Sequence, residues 1–148
     1  MPTKSRVHIR PALPSDVDDV WPLVRDFGPG VAAERAAFEA SWRAVIESPL
    51  SLVAVAVAGR ADGAIVGYVL AHLHASFLAN RVVAWVEEVA VSEHHRRAGI
   101  GRKLMTHAEN WARTEGAAHL ALASRRSGAF YRALGYEDAA VFYKRALS

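Results

Sequence analysis

The sequence predicts an α/β (α+β) domain in which a mixed, mostly antiparallel central sheet carries helices on both faces. Three observations predict this class. Two helical periodicities lie near the N-terminus, three β-rich segments follow one another without a helix between them, and helix and strand alternate only in the last third. The predicted order is strand, two helices, three strands, helix, strand, helix, strand. This order differs from the strict strand–helix alternation of a doubly wound fold.

The first third of the chain predicts one strand and two helices. Val7–Arg10 alternates between apolar and polar residues, as a short strand does. Ser15 is predicted as the N-cap of the first helix, which ends near residues 28–30. The second helix, Ala32–Glu47, is rich in alanine and ends before Pro49.

The rest of the chain predicts the sheet and two further helices. Leu50–Ala58 and Ala64–Leu73 are β-branched runs separated by a glycine-containing turn, which predicts a hairpin. Val82–Val91 is apolar at most positions of both faces, as expected of a central strand. The remaining predicted elements are the helix Gly99–Thr114, the strand Leu120–Ala123, the helix Gly128–Leu134 and a closing strand, Tyr136–Ala146.

Length and composition fit one globular domain spanning residues 1–148. Hydrophobic residues make up 52% of the 148 positions and charged residues 22%, an ordinary globular balance. No apolar run approaches the roughly twenty residues of a membrane span, and the first residues lack the apolar core of a secretory signal. The absence of cysteine excludes disulfides, thiolate metal sites and cysteine nucleophiles. We therefore expect a soluble, cytoplasmic protein with no membrane partner.

The charge distribution favours a small anionic ligand over nucleic acid. The net charge is +3, with 15 arginines against 3 lysines, and the arginine fork suits phosphate groups. The positive charges are scattered along the chain and form no block of five or six. We therefore expect no nucleic-acid partner.

A glycine-containing loop between a predicted strand and a predicted helix indicates an anion site. Its pattern is Arg-x-x-Gly-x-Gly over residues 96–101, which we call the glycine loop. The first amides of a helix have no intrahelical acceptor and can bind a phosphate. Gly99 and Gly101 allow close approach of the backbone, and Arg96, Arg97 and Arg102 add charge-assisted contacts. The pattern alone would also suit a solvated turn.

Two other phosphate-binding loops are excluded by the residues around the glycines. A Walker loop needs Lys and then Ser or Thr after its last glycine, whereas Arg102, Lys103 and Leu104 follow Gly101. A dinucleotide-binding loop needs three glycines in a β-α-β unit near the start of the fold, and this loop follows four predicted strands.

Two motifs in order resemble the GNAT superfamily of N-acetyltransferases. The first is Trp-Val-Glu-Glu-Val-Ala-Val at residues 85–91 followed by the glycine loop, and the second is Ala-Phe-Tyr-Arg-Ala-Leu-Gly-Tyr at residues 129–136. The resemblance covers residues 50–147, about two thirds of the chain, and the N-terminal helices fit the family's variable substrate region. It implies an acyl-CoA-dependent enzyme that moves an acetyl group directly to an amine.

The resemblance also implies which residues hold acetyl-CoA. Residues 89–91 would run beside the pantetheine arm, which would enter between Val82–Val91 and Leu120–Ala123. The amides of residues 97–102 would hold the pyrophosphate. Ser124 stands where the family often has asparagine and reaches less far. The implied donor-binding residues are Val89, Ala90, Val91, Arg96, Arg97, Ala98, Gly99, Ile100, Gly101, Arg102, Ser124, Phe130 and Tyr131.

Three residues are candidates for the acid–base chemistry that acyl transfer to an amine requires. Glu87 and Glu88 lie on a central strand, where alternation would send them to opposite faces unless a bulge interrupts it. The family often has its base at the position of Glu87, which we favour over Glu88, although a structural ion pair would explain either residue. Tyr131 stands where the family's tyrosine protonates the leaving thiolate, and core packing is its alternative.

The sequence leaves the acceptor open. We expect a primary amine of a small molecule or an amino acid, with a protein or peptide amine or a catalytically idle CoA-binding module as alternatives. Phe27, Phe38 and Trp42 are candidates for its pocket. His72 and His74 have metal-compatible spacing but no third ligand, so no metal is expected. Homodimers are common in the family.

Overall fold

The computed structural model describes residues 6–28 and 32–148, and a five-stranded sheet forms its centre. Two expectations concern residues outside this range. The missing secretory signal rests on residues 1–5, and the end of the first helix near residues 28–30 falls partly on residues 29–31. In spatial order the strands are β1 (Val7–Pro11), β2 (Ser51–Ala58), β3 (Ile65–His74), β4 (Val83–Val91) and β5 (Leu120–Leu122). The first three pairings are antiparallel and β4 pairs with β5 in parallel. The sheet is therefore mixed and mostly antiparallel, as predicted.

Helices cover both faces of the sheet. The helices are α1 (Val17–Arg25), α2 (Arg35–Glu47), α3 (Ile100–Thr114) and the short α4 (Gly128–Ala133). Helix α3 packs on one face through Leu104 and Met105, while α1 and α2 pack on the other through Val20 and Trp42. This two-sided arrangement explains why the central strands are apolar at nearly every position.

Strand β2 shows how one strand serves both cores. Its even positions, Leu52, Ala54 and Ala56, pack in the core beneath α3, whereas Val53, Val55 and Val57 pack beneath α1 and α2. The face toward α1 and α2 therefore carries three valines, whereas the face toward α3 carries one leucine and two alanines. Successive strand residues point to opposite faces, so the run of eight residues is buried throughout its middle.

The first helix begins differently from the prediction. A 3₁₀ turn, Pro14–Asp16, precedes α1, and the N-cap of α1 is Asp16 rather than the exposed Ser15. The buried Asp16 carboxylate accepts hydrogen bonds from the Leu13 amide at 2.7 Å and from Arg10 at 2.7 and 3.0 Å. The Asp16 side chain thus joins the 3₁₀ turn to β1 and makes no capping hydrogen bond to α1.

The predicted closing strand over Tyr136–Ala146 is wrong. Residues 137–148 form no strand or helix and are exposed along their whole length. A strand needs a neighbour whose main-chain groups can pair with its own. Strand β5 is three residues long and pairs with β4, so it offers this segment only a short edge. Among the described residues, no helix combines the length and the apolar character needed to cross a bilayer.

Candidate active site

The glycine loop connects β4 to α3 through two left-handed residues. After β4 the Ser92 amide donates to the Val66 carbonyl at 2.8 Å, and a 3₁₀ turn, Glu93–His95, follows. Arg97 has a φ of +63° and Gly99 a φ of +80°, and Gly99 is the N-cap of α3. The backbone therefore turns sharply before the helix, and the left-handed conformation explains the glycine at position 99.

The loop presents unpaired amides at the start of a 15-residue helix. The Lys103 amide donates to the Gly99 carbonyl at 3.1 Å and is the first to bond within the turn. In the described part of the chain, no loop or cap hydrogen bond uses the amides of residues 97–102. These amides and the positive end of the helix dipole suit a pyrophosphate. Arg96, Arg97 and Arg102 are exposed beside them.

Gly101 brings the two sequence motifs into contact. A Cβ at position 101 would lie 3.2 Å from Cζ of Phe130, so the glycine leaves room for this ring over the first turn of α3. Phe130 in turn packs edge-on against Tyr131, with ring centroids 5.0 Å apart. The second motif therefore lies directly beside the glycine loop.

The sheet opens where β4 continues beyond the end of its pairing with β5. Only Ala84, Trp85 and Val86 of β4 pair with β5. Residues 87–91 have no strand partner on that side within the described chain. This free edge lies at the position predicted for the pantetheine arm, and it leads into the glycine loop.

A β-bulge sits at the two candidate carboxylates. Leu70 of β3 pairs with Glu88 and Ala71 pairs with Val86, so Glu87 is the extra residue. Val86 and Val89 both pack beneath α3, although strict alternation would place residues three apart on opposite faces. The bulge therefore interrupts the alternation from which we expected the two glutamates to lie on opposite faces, and Glu87 is the residue left without a partner in β3.

The two carboxylates have different surroundings. Glu87 is exposed and accepts a hydrogen bond from the Trp85 indole at 3.1 Å. Glu88 is half-buried and accepts one from the Tyr68 hydroxyl at 2.7 Å. Burial, together with the neighbouring Glu88 carboxylate, raises the pKa of Tyr68, which therefore keeps its proton. Neither glutamate forms an ion pair among the described residues.

Glu88 opens onto a cavity between the N-terminal helices and the sheet. This helix–sheet cavity measures about 240 Å³ and is bounded by α1, α2 and strands β2, β3 and β4. Of the three aromatic candidates, Phe38 and Trp42 line it, whereas Phe27 does not. Tyr68 also lines it and was not predicted as a site residue. In the sequence it stands in an apolar strand, where an aromatic residue indicates core packing, so no signal distinguished it.

Tyr131 and Ser124 lie on and before the short helix α4. Tyr131 is partly buried against the α3 core, and burial raises the pKa of its hydroxyl, so it holds its proton at neutral pH. The Ser124 hydroxyl accepts a hydrogen bond from the Ser127 amide at 3.0 Å, just before α4 begins. The serine therefore shapes the entry to α4.

The histidines are placed without metal-site geometry. Nδ1 of His72 lies 2.9 Å from the Ser51 hydroxyl. Within residues 6–28 and 32–148, no three histidine or carboxylate side chains converge as metal ligands.

Together, the opened sheet, the unpaired amides at the start of α3 and the carboxylate beside a cavity form the arrangement expected of an acyl-CoA-dependent N-acyltransferase. A family model described as the acetyltransferase (GNAT) family matches residues 17–136, and the chain belongs to this family. Acetyl-CoA is accordingly its co-substrate. No curated protein sequence matches the chain.

Solved structures share the fold across nearly the whole chain. Glucosamine-6-phosphate N-acetyltransferase from Arabidopsis thaliana superposes with a TM-score of 0.82 at 16% identity, covering 97% of this chain and 99% of that one. The aminoglycoside N-acetyltransferase AAC(6')-Iy in complex with CoA gives 0.82 at 20% identity, covering 100% and 99%. A transcriptional regulator from Bacillus halodurans gives 0.83 at 19% identity, covering 96% and 100%. Identities this low show the fold alone.

Proposed function

We propose that the protein transfers the acetyl group of acetyl-CoA directly to the primary amine of a small molecule or an amino acid. The observation that carries the proposal is the placement of Glu88. Its carboxylate lines the helix–sheet cavity beside the Tyr68 hydroxyl, on the strand whose end leads into the glycine loop. An amine in the cavity and a thioester along β4 would therefore meet at this carboxylate.

In the proposed reaction the amine nitrogen attacks the thioester carbonyl. A new C–N bond forms, the C–S bond breaks, and the amine loses a proton while the departing thiolate gains one. Glu88 would accept the proton from the amine, in place of the Glu87 favoured from sequence. Tyr131 would supply the proton to the thiolate, because it stands where the family's tyrosine does and its hydroxyl is protonated at neutral pH.

The remaining residues predicted from sequence would hold the donor. The amides of residues 97–102 would bind the pyrophosphate, with Arg96, Arg97 and Arg102 adding charge. The main chain of residues 89–91 would pair with the pantetheine along the free edge of β4. Phe130 would cover the start of α3. Ser124 would stabilise the turn before α4 by accepting a hydrogen bond from the Ser127 amide.

A small-molecule acceptor is supported by the modest volume of the cavity, about 240 Å³. Two structural neighbours are, by name, a glucosamine-6-phosphate and an aminoglycoside N-acetyltransferase. A protein or peptide acceptor would need a groove that admits a main chain on both sides of the amine, whereas the described cavity lies between two helices and the sheet.

Acetyl-CoA binding and turnover test the proposal in sequence. At 100 times its Kd, acetyl-CoA should stabilise the fold by about 2.7 kcal/mol, visible as a rise in Tm. Free-thiol release with a panel of amines should then identify turnover. Stabilisation without release with any amine would point to an idle CoA-binding module. Stabilisation by an oligonucleotide but not by acetyl-CoA would refute the proposal outright.

We also propose that the protein forms a homodimer through residues 137–148. Four large side chains of this segment, Val141, Phe142, Tyr143 and Leu147, are 61–92% exposed. Their apolar character and the lack of a strand partner suit contact with a second copy. The single-domain organisation over residues 1–148 and the cytoplasmic location stay predictions of the sequence.

A further inference from the structure

The free edge of β4 ends at a carbonyl that already has a side-chain partner. Nε of Arg96 donates to the Val91 carbonyl oxygen at 3.2 Å. The bond reaches back across the 3₁₀ turn Glu93–His95 and joins the start of the glycine loop to the last residue of β4. The hydrogen bond that Arg96 makes in the structure is therefore directed at the strand.

The register of β3 and β4 shows which way this carbonyl faces. The Ser92 amide donates to the Val66 carbonyl at 2.8 Å, so residue 92 directs its main-chain groups toward β3. In an antiparallel ladder these groups alternate in direction from one residue to the next. Val91 and Val89 therefore direct their amides and carbonyls away from β3, toward the side on which this part of β4 has no strand partner in the described chain.

The turn that carries Arg96 is held by hydrogen bonds of its own. The His95 amide donates to the Ser92 carbonyl at 2.9 Å, and Nδ1 of His95 lies 3.3 Å from the Ser92 hydroxyl. Arg96 follows in an extended conformation, with a φ of −68° and a ψ of 157°. The backbone of the turn thus fixes the point from which the arginine side chain reaches Val91.

Donor binding changes the surroundings of the Val91 carbonyl. In the free protein Val91 is partly exposed, so water can solvate its outward groups. A pantetheine arm that runs beside residues 89–91 would exclude this water, and a carbonyl covered without a hydrogen-bond partner is unfavourable. Arg96 supplies that partner in advance. The amide and carbonyl of Val89 and the amide of Val91 then remain to pair with the donor.

We infer that Arg96 is a positioning residue for acetyl-CoA, which acts by satisfying the Val91 carbonyl beside the pantetheine arm. Its charge still attracts the pyrophosphate at longer range. Arg97 and Arg102, by contrast, are exposed and their side chains make no hydrogen bond in the described chain, so they stay available for direct phosphate contact. The inference rests on the donor site of the proposed function and separates the hydrogen bond of Arg96 from its charge.

Arg96→Gln and Arg96→Met test this separation. Counted along the side chain, the amide nitrogen of Gln stands at the position of arginine Nε, and the terminal methyl of Met stands there without a donor. Gln should raise the Kd for acetyl-CoA, measured by titration calorimetry, by no more than about threefold, because an exposed charge contributes little. Met should raise it at least about fivefold more than Gln, the contribution of one hydrogen bond. Equal losses in the two variants would overturn the inference.

Arg102→Gln and Arg102→Met are the matched controls on the first turn of α3. Arg102 has no carbonyl partner to lose, so its two variants should weaken binding equally, and the loss should shrink as salt screens the charge. At Arg96 the difference between Gln and Met should persist from about 0.01 M to about 1 M salt, because a hydrogen bond to a carbonyl is not screened in this way. A difference at Arg96 that disappears at high salt would assign this side chain to the phosphates instead.

The free protein supplies the second readout. Because water replaces the lost hydrogen bond when no donor is bound, both Arg96 variants should keep the wild-type Tm within about 2 °C. A larger loss of Tm in Met than in Gln would show that the bond stabilises the fold and does not act on the donor. If the wild type neither binds acetyl-CoA nor releases thiol with any amine, the proposed function fails. If the wild type binds and the Gln and Met variants of Arg96 bind alike, only the role of Arg96 is overturned.

Discussion

At the scale of single residues, the bulge at Glu87 decides which carboxylate faces the cavity. Glu88→Gln removes the proposed base while keeping the hydrogen bond from Tyr68, so the fold should be retained. We expect kcat/KM to fall by about 10²–10⁴. Glu87→Gln, at an exposed carboxylate bonded to Trp85, should cost less than about tenfold. Thiol-release kinetics on both variants measure the difference, and a larger loss at Glu87 would restore the sequence-based preference.

Tyr131 and Tyr136 form a matched pair on either side of the α4 terminus. Their ring centroids lie 5.9 Å apart. Of the two hydroxyls, only that of Tyr136 has a partner among the described residues, donating to Glu109 at 2.9 Å. Tyr131→Phe should lower kcat by about tenfold or more if its hydroxyl protonates the thiolate. Tyr136→Phe should lower stability by about 1 kcal/mol and leave kcat unchanged. Full turnover in Tyr131→Phe would remove the tyrosine from the proposed chemistry.

Residue types predicted the donor side of the site better than the acceptor side. The glycines at 99 and 101 are explained by a left-handed cap and a close ring contact, both of which leave a mark in the sequence. The bulge leaves no mark in the sequence, because any residue of β4 could have been the one left without a partner in β3. Tyr68 was missed because its hydroxyl partner is 20 residues away in sequence and meets it only across the sheet.

At the scale of elements, Asp16 links β1 to α1. Arg10 holds the pKa of this carboxyl below its ordinary value, and the Leu13 amide adds to the effect. Asp16→Asn leaves the guanidinium without its charge partner and should destabilise the fold by about 1–3 kcal/mol at pH 7, judging from hydrogen bonds to charged groups. Urea unfolding followed by circular dichroism measures the loss. Asp26→Asn, at an exposed pair with Arg25, is the matched control with little effect.

The same carboxylate makes stability depend on pH in a defined direction. Because the folded-state pKa is lower than the unfolded one, the contribution is fully present above the unfolded value, about 3.9. It is lost as the pH falls through the folded-state pKa. The stability difference between wild type and Asp16→Asn should therefore shrink steadily below about pH 4. A difference that stays constant down to pH 2 would show that the pair does not stabilise the fold.

The sequence predicted the boundaries of those strands that are buried on both faces. Strands β2, β3 and β4 begin and end within one residue of the prediction, because both of their faces are apolar and turn residues flank them. The prediction of a closing strand was wrong because it used alternation alone. Alternation describes the faces a segment could bury, but whether it becomes a strand depends on a neighbouring edge, which the local sequence does not encode.

At the scale of the whole molecule, the order of two motifs was enough to place the chain in its family. The glycine loop and the second motif meet at Gly101 and Phe130, so sequence order reflects a physical contact. The acceptor remained open because the helix–sheet cavity is built mainly from apolar positions of five elements. Each of these positions is compatible with ordinary core packing, and only the assembled fold leaves a space between them.

The exposed apolar segment 137–148 makes the assembly state testable. Phe142 lies against Trp85, with ring centroids 6.2 Å apart, while Val141 and Tyr143 are 73% and 86% exposed. We expect light scattering coupled to size-exclusion chromatography to give a dimer. In a two-fold interface each substitution counts twice, so Val141→Asp or Tyr143→Asp should raise the dimer Kd at least about tenfold. Glu137→Ala, exposed in the same segment, is the control and should leave the Kd unchanged. A wild type that stays monomeric at 100 times the protein concentration of the activity assay would rule out this interface. A dimer that survives both substitutions would also rule it out.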